Sequence, residues 1–203
     1  MTSAHPTVTE PTRRGSKEDR REQLLDAAAT LVVDKGLMGF TMEGLATAAG
    51  VSKALPYRHF ANSESALLAL LAREIGGLAK AIATACDDLR DGERLIAAAI
   101  TAYFDVVSER GALLNTLAGS GSPLPELAGG GTRPAPWFVV DVIERGFGLR
   151  GQKATVLAWL ITAMAISGSD SVARGDASRS VVQKMTISAA IGAAHAVVGE
   201  RRT

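Results

Sequence analysis

One short stretch of the chain, residues 50–60, has an unusual charge pattern. Its sequence, GVSKALPYRHF, holds two cations, a histidine and a tyrosine, but no acid. Over the whole chain the signs nearly balance, with 22 Lys and Arg against 21 Asp and Glu. Between residues 45 and 60 the only charged residues are Lys53 and Arg58, to which His59 can add positive charge. The pattern predicts a local surface for phosphate groups on an otherwise nearly neutral protein.

Other motifs that could carry chemistry are weaker. The segment GFGLRG, residues 146–151, satisfies the dinucleotide pattern G-x-G-x-x-G, but the residues after it favour two helices over the further strands that such a domain needs. No G-x-S-x-G nucleophile motif occurs. His5, His59 and His195 lie far apart, without the spacing of zinc ligands, and Cys86 is better explained as a buried structural residue than as a thiol sensor. We therefore expect no catalytic residues, no metal and no cofactor.

The composition indicates a cytoplasmic protein. With 203 residues, the chain can form one large domain or two small ones. Its single cysteine excludes an internal disulfide, and the polar N-terminus does not resemble a secretory signal. The longest uncharged stretch, residues 154–169, is shorter than the roughly 20 residues of a membrane span. We expect no membrane partner.

Hydrophobic spacing predicts an all-α chain. Apolar residues recur at helical intervals between residues 24 and 32, and Gly36 follows as a C-terminal stop. Thr41 and Ser52 are predicted N-caps of two short helices, and Asn62 or Ser63 is the predicted N-cap of a long one. Further helices are predicted near residues 91–109, 111–118, 135–147, 152–168 and 178–199. Residues 1–16 are predicted to be a disordered arm, and residues 118–134, with five Gly and three Pro, a loop without regular structure.

Two short helices joined by a turn at Gly50 fit a helix-turn-helix, in which the second helix enters the DNA major groove. This arrangement explains the missing acids, since a carboxylate on that helix would face the phosphates. The cation-rich segment RRGSKEDRR, residues 13–21, could follow a neighbouring groove or the DNA backbone. A capped helical hairpin with a solvated basic face is the alternative. The expected three-helix core comprises Leu24, Ala28, Leu31, Leu45, Ala49, Val51, Leu55 and Phe60.

Residues 21–71 resemble the DNA-binding domain of the TetR family of transcriptional regulators. The resemblance rests on LLDAA in the first helix, on KG and GFT before the second, on AGVS in the turn and on YRHF at the end of the third. It implies a homodimer that reads a pseudo-palindromic operator. Two residues depart from the family pattern: Pro56 replaces a leucine-like residue and is expected to distort the recognition helix, and Ser63 replaces a common phosphate-binding lysine. The predicted DNA-binding residues are Arg13, Arg14, Thr41, Ser52, Lys53, Ala54, Tyr57, Arg58 and His59.

The larger part of the chain, residues 63–203, is predicted to bind a ligand and to form the dimer. The helices near residues 152–168 and 178–199 are apolar nearly all round, so each should be buried on more than one side. The resemblance implies that they form a four-helix dimer interface; the core of a monomer is the alternative. A pocket between the middle helices should take an apolar or weakly polar small molecule of unknown identity. Its predicted lining residues are Tyr103, Phe104, Leu117, Trp137, Phe138 and Met164.

Together these observations predict an all-α regulator, not an enzyme, with residues 17–62 forming the helix-turn-helix domain. It is expected to act as a repressor that a small molecule releases from double-stranded operator DNA. The alternatives are an α-helical enzyme, disfavoured by the missing catalytic residues, and a helical interaction protein that does not read DNA.

Overall fold

The computed structural model describes residues 13–119, 121–129 and 136–199, with side chains from residue 17 onward. Every regular element in these ranges is an α-helix, as predicted. The helices are α1 (Arg13–Lys35), α2 (Met42–Ala48), α3 (Ala54–His59), α4 (Ser63–Cys86), α5 (Gly92–Ala118), α6 (Leu124–Ala128), α7 (Trp137–Phe147), α8 (Gln152–Ala173) and α9 (Arg179–Gly199). The chain divides into two compact units, of which the first ends at Ala66 and the second begins at Leu67. This division lies inside α4, four residues after the boundary predicted from the sequence.

In the first unit, α1 and α3 both pack against α2. Pro56 joins the core, whereas Ala49, Val51 and Leu55 are only partly buried, which corrects the expected core at these three positions. α1 begins at Arg13, so residues 13–16 form its first turn and do not belong to a disordered arm. Residues 1–12 lie outside the described residues. The core of the unit consists of Leu24, Leu25, Ala28, Leu31, Val32, Phe40, Met42, Leu45, Ala46, Pro56 and Phe60.

The second unit packs α5 against α7, α8 and α9. The close approach of α5 and α7 requires two glycines: a Cβ on Gly92 would lie 2.5 Å from the carbonyl oxygen of Gly146. Gly148 ends α7 in the left-handed conformation at φ 63°, and α8 follows Gly151. The glycines of GFGLRG therefore serve as a helix stop, a turn and a helix contact, as opposed to a dinucleotide loop.

Three helices of this unit differ from the prediction. α5 is continuous from Gly92 to Ala118, although two helices were expected with a break near residue 110. α6 lies inside the predicted loop, where Pro123 precedes the first helical residue and the buried Leu124 fixes the turn. α8 continues past Gly168 to Ala173. A Cβ at Gly168 would lie only 2.6 Å from Val182 of α9. That glycine permits a close helix contact and does not end the helix.

Candidate nucleic-acid interface and ligand cavity

The turn between α2 and α3 fixes the direction of α3. Thr41 is the N-cap of α2, as predicted, and its Oγ1 accepts a hydrogen bond of 2.9 Å from the Gly44 N–H. Gly50 has φ +65°, which favours glycine, and its N–H donates to the Thr47 carbonyl at 3.1 Å. The Val51 N–H donates to the Ala46 carbonyl at 3.0 Å, so the end of α2 is satisfied before the chain turns. The exit from α2 is thus fixed by backbone hydrogen bonds.

The start of α3 corrects two predictions. Lys53, and not Ser52, is the residue before the first helical residue, and no side chain caps the helix. Pro56 is therefore the third helical residue, where a backbone N–H has no helical partner in any case. Its carbonyl accepts the Phe60 N–H at 2.9 Å, and its ring is buried. The proline stands within the regular helix without the expected distortion.

Most of the predicted DNA-facing residues in α3 and just before it are exposed to solvent. Lys53, Ala54 and Arg58 are exposed, Tyr57 is 60% exposed and His59 is half-buried. Thr41 and Ser52 are also exposed. Arg13 and Arg14 lie in the first turn of α1, and their side chains are outside the described residues.

Lys53 forms an ion pair with Glu43 of α2. The Lys53 ammonium holds the pKa of the Glu43 carboxyl below its usual value, chiefly through their hydrogen bond. The predicted contact residue thus already has a carboxylate partner. The sequence pattern missed Glu43 because it lies just before the acid-free stretch.

A cationic cleft of about 640 Å³ lies beside α3 in the first unit. Burial lowers the pKa of His59 first, and the charges of Lys17, Arg58 and Arg21 lower it further, against the opposing effect of Glu18. Several positive charges therefore lie near one imidazole, an arrangement that an anion would relieve. Lys17 and Arg20 are one helical turn apart on α1, a spacing readable from the sequence, but their convergence with Arg58 required the fold. The cleft is lined by Lys17, Arg20, Val51, Ser52, Leu55, Arg58 and His59.

The second unit contains an apolar cavity of about 800 Å³, which is within the usual range for small-molecule sites. Its walls come from α4, α5, α7 and α8 and from the segment around α6. Tyr103, Trp137 and Phe138 line it. The other three predicted lining residues are not in its wall: Phe104 and Leu117 are buried in the packing, and Met164 packs against the core. Helical spacing does not separate a residue that faces a cavity from one that fills the core.

Few polar groups face this cavity. The Tyr103 hydroxyl lies 3.1 Å from the hydroxyl of Ser169, which is buried. Burial raises the pKa of Tyr103, so its hydroxyl stays neutral at physiological pH. Asn115, Glu126 and Thr162 add polar atoms, but none of the described lining residues is a lysine or an arginine. The cavity can therefore hold an apolar chain but cannot compensate an anionic group inside.

A buried ion pair joins α4 to α5 beside the cavity. Arg110 donates to both carboxylate oxygens of Glu74, at 2.9 and 3.0 Å, and Arg73 donates to one of them at 3.1 Å. The Glu74 side chain is only 4% exposed, whereas that of Arg110 is 48% exposed. Leu71 and Ile75, which flank Glu74 on α4, both line the cavity. The ion pair therefore fixes the spacing of two helices that form the cavity wall.

The last two helices each expose an apolar face. By length and composition alone both could cross a membrane, a test that core helices of soluble proteins also pass. Their other faces pack into the core through residues such as Ile161, Ala165 and Ala194. Large apolar side chains stay exposed at Val156, Trp159, Leu160, Val181 and Met185, with small residues at Ala189, Gly192 and Ala196.

Cys86 and His195, which the sequence does not assign to a site, both contact other parts of the second unit. Cys86 is buried, and burial raises the pKa of its thiol, which makes it a poor nucleophile. The Nε2 of His195 lies 2.8 Å from a carboxylate oxygen of Glu93.

Comparison with known proteins agrees with this geometry. Residues 24–70 match the family model described as bacterial regulatory proteins, tetR family. The chain is 29% identical over 164 residues to the HTH-type transcriptional activator FasR of Mycolicibacterium smegmatis, covering 77% of this chain and 75% of FasR. It is 45% identical over 49 residues, 24% of each chain, to the HTH-type transcriptional repressor KstR2 of Rhodococcus jostii. The fold resembles that of the transcriptional regulator FadR from Bacillus subtilis, solved in complex with stearoyl-CoA, with a TM-score of 0.69, 15% identity and coverage of 85% of this chain and 98% of FadR.

The helix-turn-helix with its cationic face, together with the matched regulators, indicates a DNA-binding transcriptional regulator, and its second unit contains an apolar cavity. The likeness to the TetR family model holds over residues 24–70, and the fold of the chain is that of transcriptional regulators of known structure. The proteins that it matches are regulators and not enzymes.

Proposed function

We propose that this regulator binds a pseudo-palindromic operator as a homodimer and is released when an apolar acyl chain enters the cavity of the second unit. The observation that carries the proposal is the pairing, in one chain, of an acid-free recognition helix with an apolar cavity of about 800 Å³. We assign DNA binding to residues 17–62, and ligand binding and dimerisation to residues 63–203. Neither part is assigned catalysis.

In the proposed complex, α3 lies in the major groove. Lys53, Tyr57 and Arg58 are exposed on it and can reach base edges or phosphates, and the small Ala54 allows close approach. Phosphates are held by the hydroxyls of Thr41 and Ser52, by His59 and by Arg13 and Arg14. We add Lys17 and Arg20 to this set, because they share the cationic cleft with Arg58.

The proposed ligand is a long-chain acyl-CoA or a related acyl thioester. The support is chemical: the cavity wall is almost wholly apolar, and its few polar groups could take one carbonyl. Without described lysines or arginines in the wall, the charged end of such a ligand stays outside, since burying it unpaired would cost several kcal/mol or more. FadR from Bacillus subtilis, which shares the fold, binds stearoyl-CoA.

The proposed dimer covers the exposed faces of α8 and α9 with the same faces of a second copy. Ala189, Gly192 and Ala196 are small enough to let two helices approach closely, and Leu160 and Met185 would bury apolar area. The pairing covers the apolar faces of α8 and α9, the two helices long and apolar enough for a lipid bilayer, and we propose that the protein acts in the cytoplasm.

The proposed link between ligand and DNA is α4. It begins in the first unit, where Asn62 accepts the Ser65 N–H at 2.8 Å and Ser65 accepts the Asn62 N–H at 3.1 Å. It continues into the second unit, where Leu71, Ile75 and Leu78 line the cavity. A ligand that binds better to one position of α4 than to another shifts the population of the two states.

We propose that the protein represses transcription, as the relative KstR2 does. Because FasR is named as an activator, an in vitro transcription assay is needed to test the direction. The proposed function itself is tested by fluorescence anisotropy with the DNA that flanks the gene and with a scrambled duplex of equal length. Saturable binding to the flank by two chains per duplex, lost steeply as salt rises, is expected. Equal weak binding to both duplexes would contradict it.

A further inference from the structure

The proposed function assigns Lys53 to DNA but gives no role to Glu43, with which Lys53 forms an ion pair. Glu43 lies in the first turn of α2, and Lys53 immediately precedes α3, so the pair crosses the turn that sets α3. Both side chains are largely exposed, at 64% and 77%. The pair therefore lies at the surface, where a phosphate could replace the carboxylate.

The two exposed cations of the recognition segment are in different situations. Lys53 is paired with Glu43, whereas Arg58 has no acidic partner among the described residues. The chain is acid-free between residues 45 and 60, and Glu43, just before this segment, pairs with its lysine. A carboxylate and a DNA phosphate are the same kind of partner for an ammonium group.

We infer that Glu43 competes with DNA for Lys53: its carboxylate pairs with the Lys53 ammonium in the free protein, and this pair must break when Lys53 binds a phosphodiester or a base edge. This inference rests on the proposed DNA-binding role of Lys53. Once Lys53 has exchanged partners, the Glu43 charge is left unpaired beside the polyanion. Glu43 thereby lowers the affinity for any duplex. The lowered pKa of its carboxyl keeps Glu43 ionised throughout the physiological range.

The test is DNA binding by the full-length Glu43→Gln variant. Glutamine keeps the length of the side chain and removes its charge. Asp34→Asn is the matched control, because it also removes one exposed negative charge from the first unit, and Asp34 has no ion-pair partner among the described residues. The probe is a fluorescein-labelled duplex of about 30 base pairs of arbitrary sequence, long enough for two half-sites one helical turn apart.

Glu43→Gln should tighten binding about 1.5- to fivefold per protomer, and roughly two- to 25-fold for a bound pair, from the usual worth of an exposed ion pair. The gain should shrink as salt rises, because exposed charges are screened. Asp34→Asn should give less than half of this gain. In a Lys53→Met background, Glu43→Gln should give no more than Asp34→Asn does. Thermal melting verifies folding, and Glu43→Ala replaces the Gln variant if that variant does not fold.

The possible failures are distinct. If Lys53→Met weakens binding but Glu43→Gln leaves it unchanged or weakens it, Glu43 does not compete, and the proposed DNA role of Lys53 stands. If Lys53→Met binds as the wild type does, both the inference and that role are wrong. If the gain from Glu43→Gln persists in the Lys53→Met background, Glu43 acts through its general charge and not through Lys53, and the inference is wrong.

Discussion

The ion pair of Glu74 with Arg110 gives an asymmetric prediction, because its two members differ in burial. The carboxylate of Glu74 is almost fully enclosed, at 4% exposure, and the guanidinium of Arg110 is half in water. Arg110→Met therefore leaves a buried carboxylate with Arg73 as its remaining partner, whereas Glu74→Gln leaves a cation that water can solvate. Removing the arginine should cost more stability than neutralising the glutamate.

The magnitudes follow from the two exposures. Removing one member of a fully buried pair costs about 3–5 kcal/mol. The half-exposure of Arg110 and the remaining contact with Arg73 reduce this to about 2–3 kcal/mol for Arg110→Met. Glu74→Gln keeps a hydrogen-bond acceptor for Arg110 and should cost about 1 kcal/mol.

Urea denaturation followed by circular dichroism measures both free energies of unfolding, at one fixed protein concentration because a dimer is expected. Arg94→Met is the control: it is the same substitution at an exposed position of the same helix, and should stay within about 0.5 kcal/mol of the wild type. Equal losses for Arg110→Met and Glu74→Gln, or a larger loss for Glu74→Gln, would refute the reasoning from burial.

Three further predictions concern the cleft, the cavity and the exposed faces. The pKa of His59 in the free folded protein lies below the ordinary 6.5, so the unfolded chain takes up a proton at His59 first and the free energy of unfolding falls as the pH drops through about 6.5. A DNA phosphate in the cleft favours the charged imidazole, so anisotropy should show that the affinity for DNA rises from pH 7.5 to about 6. His59→Gln should remove this rise in affinity. Ala165→Phe places a ring in the wall of the cavity and should abolish binding of stearoyl-CoA in calorimetry while DNA binding persists; undiminished ligand binding would mean that the ligand lies elsewhere. Met185→Glu puts a charge on the exposed face of α9 and should convert a dimer to a monomer in analytical ultracentrifugation, whereas Lys184→Glu should not; a dimeric Met185→Glu would place the interface on another face.

The helices and the turn of the recognition unit could be predicted from the sequence, because their signals are local. Thr41 caps the helix that follows it, and Gly50 has the positive φ that its turn requires. An N-cap at Ser52 would start α3 one residue earlier and put Pro56 at the fourth helical position, where its missing N–H would cost a helical hydrogen bond. A shift of one residue decides whether the missing N–H matters, and helix ends are the least certain part of any pattern.

The larger unit was less predictable, because its glycines are explained by their neighbours in space. Gly111 lies inside α5, where a helix tolerates glycine at a cost of about 1 kcal/mol. The sequence predicts a helix that ends near residue 168, but Gly168 lies inside α8 and allows α9 to approach it. Phe104 and Leu117 have the same pattern as the cavity-lining Tyr103, and only the packing of α5 assigns them to the core.

The central claim, that an acyl chain in the cavity controls DNA binding, is tested most directly by titrating stearoyl-CoA into the complex of the protein with its flanking DNA and following anisotropy. Free coenzyme A is the control for the charged head group. The account predicts that stearoyl-CoA releases the DNA, that coenzyme A does not, and that DNA weakens the binding of stearoyl-CoA by the same factor. Stearoyl-CoA that binds the protein and leaves its affinity for DNA unchanged would contradict the account.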